Sequence, residues 1–152
     1  MKNIQETADK FAVVEALYRF AAGLDLRDHD LLSSAFAVDA ISDFRPAGKK
    51  AGFDYPVLQG REIIVGALMG SLSEIDTTHS ISNPRVTLDG DKAVMDALVE
   101  AQHLPSNDHS RYYLMKNRYY VELVRQGDIW VIQRYIVDNV WRTGDATVLS
   151  GI

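Results

Sequence analysis

The sequence predicts one α+β domain, a cone-shaped α+β barrel with N-terminal helices packed on a strongly curved, mixed but mainly antiparallel sheet. Three observations carry this. Apolar residues recur at helical spacing as far as Ile75, period-two alternation takes over from Thr78 to Trp141, and 152 residues suffice for one core without covalent staples. A bent sheet wrapped round a long helix leaves an interior cavity.

From about Glu6 to Leu26 the residues Phe11, Val14, Tyr18, Ala21 and Ala22 repeat at helical spacing, and Val13, Leu17, Phe20 and Leu24 widen the stripe. Asp25 closes this helix two turns after Tyr18 and on the same stripe. There it meets the negative end of the helix dipole, so its proton affinity is expected to rise. Asp28 reads as the N-cap of a short helix, Asp30 to Phe36. Val38 to Phe44 alternates as a strand. Arg45 to Pro56 then reads as a loop carrying Phe53 and Tyr55, either a lid over the cavity or a mobile surface excursion. Gly60 to Ile75 is expected to be a third helix, with Ile64, Leu68, Leu72 and Ile75 on one stripe.

The second half reads as an antiparallel meander. Thr78 to Leu88 is a strand that Pro84 interrupts with a bulge or an edge position. Asp89-Gly90-Asp91 is a hairpin turn leading to the strand Ala93 to Leu104, whose face of Ala93, Met95, Ala97, Val99, Ala101 and His103 is apolar. With Thr77 opposite His103 and Ala101 opposite His79, both histidines enter the cavity; a one-residue slip leaves only one inside. Arg111 to Arg125 turns Tyr113, Met115, Asn117, Tyr119, Val121 and Leu123 inward. After Gln126-Gly127 comes the last strand, Asp128 to Trp141. A two-residue turn there sets Arg134 inward opposite Tyr119, and a three-residue loop sets Tyr135 inward instead. Thr143 onward has little pattern, so the domain is placed at residues 1–145 and 146–152 is read as a loose tail.

Composition excludes several function classes. Without cysteine there are no disulfides, thiol nucleophiles or thiolate metal sites. A net charge of −5 with no basic cluster argues against nucleic acid. No apolar run reaches the roughly 20 residues of a membrane span. Glu6, Asp9 and Glu15 break up the N-terminal apolar pattern, which excludes a signal peptide and predicts a cytoplasmic protein.

The segments Leu17-Tyr18-Arg19-Phe20-Ala21-Ala22-Gly23-Leu24-Asp25, Thr78-His79 with Asn83, Val86-Thr87-Leu88-Asp89-Gly90-Asp91, Arg118-Tyr119, Trp130 and Trp141-Arg142-Thr143-Gly144-Asp145 resemble the SnoaL-like branch of the nuclear transport factor 2-like superfamily. The resemblance covers nearly the whole chain. It is specific for fold and weak for reaction, because the scaffold hosts many chemistries. Scytalone dehydratase, hexachlorocyclohexane dehydrochlorinase and bile-acid 7α-dehydratase are the members most similar in polar positions. The resemblance implies that Asp25 and His79 form an acid-base pair and that His103 is a second histidine of the cavity. Two positions depart from the family pattern: Val121 stands where many members have an acid, and Asn117 replaces a glycine. The first puts a cyclase or isomerase role in doubt.

The expected catalytic residues are therefore Asp25, His79 and His103, with Tyr18, Phe44, Asn117, Tyr119 and Arg134 binding substrate. A carboxylate fixes the tautomer of a histidine base, while His103, Tyr18 or Tyr119 donates to the departing oxygen. The expected activity is a cofactor-independent, dehydratase-type lyase acting on a small, mostly apolar cyclic substrate. The alternatives are a non-catalytic ligand-binding or assembly domain, or a polyketide cyclase or ketosteroid-type isomerase. Two histidines and an aspartate are also ligand types of a non-haem iron site, but such triads have close His-x-Asp spacing and these residues are scattered, so no metal is expected. Each candidate also has a plainer structural role: core histidines, a turn-capping Asp25, packed tyrosines, or an Arg134 paired with Asp138 or Glu122. Outward apolar residues such as Leu98 and Val124 predict a homo-oligomer, dimer or trimer.

Overall fold

The computed structural model describes residues 2–150. Helix α1 (Lys2–Asp25) is followed by α2 (His29–Ser34), β1 (Phe36–Asp43), α3 (Arg45–Ala51), β2 (Leu58–Gln59) and α4 (Arg61–Ser71). Four long strands complete the meander: β3 (Ile75–Asp89), β4 (Lys92–Pro105), β5 (Tyr113–Gln126) and β6 (Ile129–Gly144). A 3₁₀ turn, Ala146–Ser150, ends the described chain. The strands form one sheet in the order β2-β1-β6-β5-β4-β3, antiparallel except for the β1–β6 pair. The mixed, mainly antiparallel α+β architecture expected from the sequence is what forms. The sheet is not closed, since β2 and β3 are its edges. None of the described helices is long and apolar enough to cross a membrane.

Helix α1 lies across the inner face of the sheet, rotated from the expected orientation. Val13, Ala16, Leu17, Phe20 and Leu24 are buried, whereas Phe11 and Tyr18 are 66% and 44% exposed. The apolar stripe in the sequence is wider than one helix can bury, and tertiary anchors choose the side. Arg19 is the main anchor: its guanidinium donates to the Trp130 carbonyl at 2.6 Å, to the Ser34 carbonyl, and to Glu15 at 2.8 Å. The same rotation brings Phe20 edge-on to Phe36, Tyr119 and Tyr135. At the other end, α2 approaches so closely that a Cβ at Gly23 would stand 2.6 Å from the Leu32 backbone. Asp28 caps α2 as expected, accepting from the Leu31 amide at 3.1 Å.

Four expectations of local structure are corrected. The stretch read as a loop from Arg45 begins as helix α3, with Pro46 in its first turn, where proline costs no hydrogen bond, and Gly52 ending it in a left-handed conformation. Phe44 caps this helix instead of ending β1. The third helix stops at Ser71, and Ile75 already belongs to β3. The tail is not loose as far as Ser150: Val148 is 4% exposed and packs into the core. Residues 151 and 152 of that tail, and Met1, lie outside the described residues.

The β3–β4 hairpin has the register on which both histidines depend, with Thr77 opposite His103 and His79 opposite Ala101. Pro84 marks a register shift between Ser82 and Arg85, as its missing donor predicts. The β5–β6 pair differs from both expected arrangements. Its turn is Gly127-Asp128, pairing Gln126 with Ile129, and a bulge that leaves Gln133 unpaired then reverses the parity. Tyr135 consequently faces inward opposite Val121, and Arg134 lies on the outer face opposite Glu122. A second bulge leaves Val140 unpaired and sets Asn139 opposite Asn117.

Gly23→Ala is expected to destabilise the fold by roughly 1–3 kcal/mol through forced separation of α1 and α2. Gly66→Ala, on an exposed turn of α4 with open space around its Cβ, is expected to stabilise by roughly 0.5–1 kcal/mol. Thermal unfolding midpoints of the two variants should move in opposite directions.

Candidate active site

The end of α1 and the start of β3 meet at Asp25. One carboxylate oxygen accepts from the Thr77 hydroxyl at 2.9 Å and lies 2.6 Å from His79 Nδ1. The other accepts from the His79 backbone amide at 2.9 Å. A carboxylate only accepts here, so the shared proton sits on His79 Nδ1 and the lone pair of the neutral ring is at Nε2. The His79 side chain is only 5% exposed, and its ring stands edge-on to Phe20 and to His103.

The expected rise in the proton affinity of Asp25 is overturned. Burial does push it up, but hydrogen bonds from the His79 ring and amide, the charge of His79 and the Thr77 hydroxyl outweigh burial and hold the carboxyl below its ordinary 3.8. Direct donors at hydrogen-bond distance act more strongly than the diffuse field of the helix end.

His103 is held differently. Its Nδ1 lies 2.9 Å from the Tyr113 carbonyl, so Nδ1 donates and Nε2 is again the acceptor. Burial lowers its pKa to about 4, and the Tyr113 carbonyl only partly opposes this. At neutral pH His103 is therefore an uncharged acceptor and cannot serve as the acid expected from the sequence.

Both imidazoles line an apolar cavity of about 310 Å³ between α1, α3, α4 and the inner sheet face. Asn117, Tyr119, Ser42 and Phe44 line it as well. Burial raises the Tyr119 phenol well above its ordinary range, so it remains a neutral O–H donor. Phe53 and Tyr55 stack at 5.7 Å and, with Leu72 and Leu149, cover the other end. No Lys, Arg, Asp or Glu among the described residues lines the space, and Asp25 stands behind His79.

Of the residues expected at the site, the structure brings together Asp25, His79, His103, Asn117, Tyr119 and Phe44. It excludes two. Tyr18 points away because Arg19 fixes the rotation of α1, and Arg134 is turned to the outer face by the bulge at Gln133. Thr77, Ser42 and Leu149 were not foreseen. Thr77 was detectable, since it lies two residues before His79 and so on the same face. Leu149 had no sequence signal.

A family model described as a SnoaL-like domain matches residues 5–136. The chain belongs to the SnoaL-like domain family. This SnoaL-like domain is 28% identical over 150 residues to terrestric acid biosynthesis cluster protein E of Penicillium crustosum, covering 94% of this chain and 90% of that one. A scytalone dehydratase-like protein of Novosphingobium aromaticivorans superimposes with a TM-score of 0.81 at 17% identity, covering 95% and 92% of the two chains. The hexachlorocyclohexane dehydrochlorinase LinA-type3 of Novosphingobium barchaimii does so with a TM-score of 0.76 at 18% identity, covering 95% and 94%. These likenesses show a shared fold.

The depressed His103 pKa has a consequence for stability. Between pH 6.5 and about 4 the unfolded chain takes up a proton at this histidine that the folded chain refuses, so stability falls as pH falls through that window. The loss attributable to His103 is on the order of 3 kcal/mol. Denaturant unfolding of His103→Gln at pH 7 and pH 4.5 should show a smaller difference than the parent protein.

Proposed function

We propose that this SnoaL-like domain is a cofactor-independent lyase that eliminates water, or a similar leaving group, from a small neutral cyclic substrate. The observation that carries this reading is the Asp25–His79 contact of 2.6 Å on the wall of an apolar cavity. The family assignment and the biosynthetic-cluster relative support a role in small-molecule processing. Among the described residues no charged side chain lines the cavity, which favours a neutral substrate, since an unpaired carboxylate or phosphate would be costly to bury there.

His79 takes a proton from carbon at Nε2, and the Asp25 carboxylate stabilises the resulting imidazolium. The C–H electron pair forms the new double bond, directly or through an enolate, as the bond to the leaving oxygen breaks. With His103 neutral and Tyr119 a weak acid, the imidazolium of His79 is the group able to return its proton to the departing hydroxide. The released water then carries both, and a single base-and-acid residue requires the two groups to leave from the same face. Tyr119 donates a hydrogen bond to developing negative charge. Asp25, already accepting three hydrogen bonds, is poorly placed to act as the carboxylic base over a ring that an isomerase would need.

The oligomer and cytoplasmic location expected from the sequence stay part of this proposal. Leu98 and Val124 are half-buried, while Val94, Tyr120, Val140 and Trp141 are the exposed apolar residues that favour association.

Against a panel of neutral cyclic β-hydroxy ketones, His79→Ala is expected to lower kcat by roughly 10²–10⁴-fold with little change in Tm. Asp25→Asn should lower kcat as well, by leaving the tautomer of His79 unfixed. If no panel member turns over and His79→Ala instead unfolds, the histidine is a core residue and the domain binds a ligand without transforming it.

A further inference from the structure

Asn139 does not line the cavity, yet it determines which polar group the cavity offers. Its side chain is buried at the β6 bulge, where the Nδ2 group lies 3.0 Å from the Trp141 carbonyl and 3.4 Å from that of Lys116. Both are acceptors, so this atom must be the NH₂ and not the oxygen. Its own oxygen accepts from Arg142 at 3.3 Å, which agrees with that orientation. The same NH₂ is 2.9 Å from a side-chain atom of Asn117, and that atom must therefore be Oδ1. Nδ2 of Asn117 is left on the other side, with no protein partner among the described residues, in a residue that is 3% exposed and lines the cavity.

We infer that Asn139 is a positioning residue that locks the Asn117 amide with its N–H groups directed at the substrate, so that the site selects a ligand bearing a carbonyl oxygen. An amide free to flip would accept a hydroxyl as readily as donate to a carbonyl. Locked, it only donates, and a ligand lacking an acceptor leaves a buried N–H unpaired. His103 supplies the complementary restriction, since its Nε2 only accepts. Asn117 thus adds a fixed donor opposite the acceptor at His103, a pattern that suits a hydroxy ketone. In the proposed elimination, Asn117 would donate to the carbonyl oxygen as enolate charge develops. This inference rests on the reading that the cavity takes the substrate, but its test needs no turnover.

The test compares the binding of 1-indanone with that of indane, its hydrocarbon counterpart, to the whole protein by calorimetry or NMR titration. The parent protein should prefer the ketone by roughly threefold to tenfold, the yield of one neutral hydrogen bond. Asn139→Ala should lower that preference by about twofold, because a freed amide donates to the ketone in only one of its two orientations, while affinity for indane is unaltered in a cavity of unchanged shape. A second measurement avoids the variant: in the parent protein, the Asn117 side-chain N–H signals should shift more with the ketone than with the hydrocarbon. Retention of the preference in Asn139→Ala overturns the positioning role. Equal binding of the two probes by the parent protein, or unshifted Asn117 N–H signals, overturns the donor orientation and leaves the elimination reading standing. Binding of neither probe sinks the substrate class of that reading, and this inference with it.

Discussion

The carboxylate of Asp25 is the point from which the rest of the candidate site follows. A single side chain at the end of α1 accepts from the Thr77 hydroxyl, the His79 ring and the His79 amide, tying the helix to the edge strand of the sheet. The tie satisfies a charge at an unfavourable helix end and at the same time leaves His79 with its basic nitrogen unoccupied. The tie between helix and strand rests on the Thr77 hydroxyl and the His79 amide, and the chemistry on the ring contact of the same carboxylate. A group already saturated by three donors, held below its ordinary pKa, is suited to stabilising a cation beside it and poorly suited to carrying a proton itself.

Two histidines about 6 Å apart end up with different chemistry because of what each Nδ1 meets. His79 faces a carboxylate, 2.6 Å from its Nδ1. His103 faces a carbonyl and is buried, so its ring stays neutral until about pH 4. The same imidazole group becomes a candidate base in one place and a fixed hydrogen-bond acceptor in the other. Position along an alternating strand does not distinguish the two cases, since both residues point inward.

The bulges in β6 have as much effect on the cavity as its lining does. Leaving Gln133 unpaired exchanges Arg134 for Tyr135 on the inner face and keeps a cation out of the pocket. Leaving Val140 unpaired creates the position where Asn139 both satisfies the Trp141 carbonyl and meets Asn117. The neutrality of the cavity and the direction of its Asn117 amide are in this sense properties of strand pairing.

By itself the sequence determined the α+β class, the order of the main elements and the inward face of β4 and β5, and it narrowed the β3–β4 register to two parities. These depend on short-range signals: apolar period, the Asp-Gly turn and the cap at Asp28. Together with the family resemblance, they were enough to bring Asp25, His79, His103, Asn117 and Tyr119 to one place. Only the tertiary structure decided the rotation of α1, which excludes Tyr18, because a stripe too wide to bury is resolved by distant partners of Arg19 such as Trp130 and Ser34. It also decided the facing of Arg134 and Tyr135, since a bulge shifts register without leaving a reliable mark in the residues it displaces. The protonation preferences of Asp25 and His103 belong to the same class. They are set by donors and carbonyls from other segments, within about 3 Å, which no local pattern in the chain encodes.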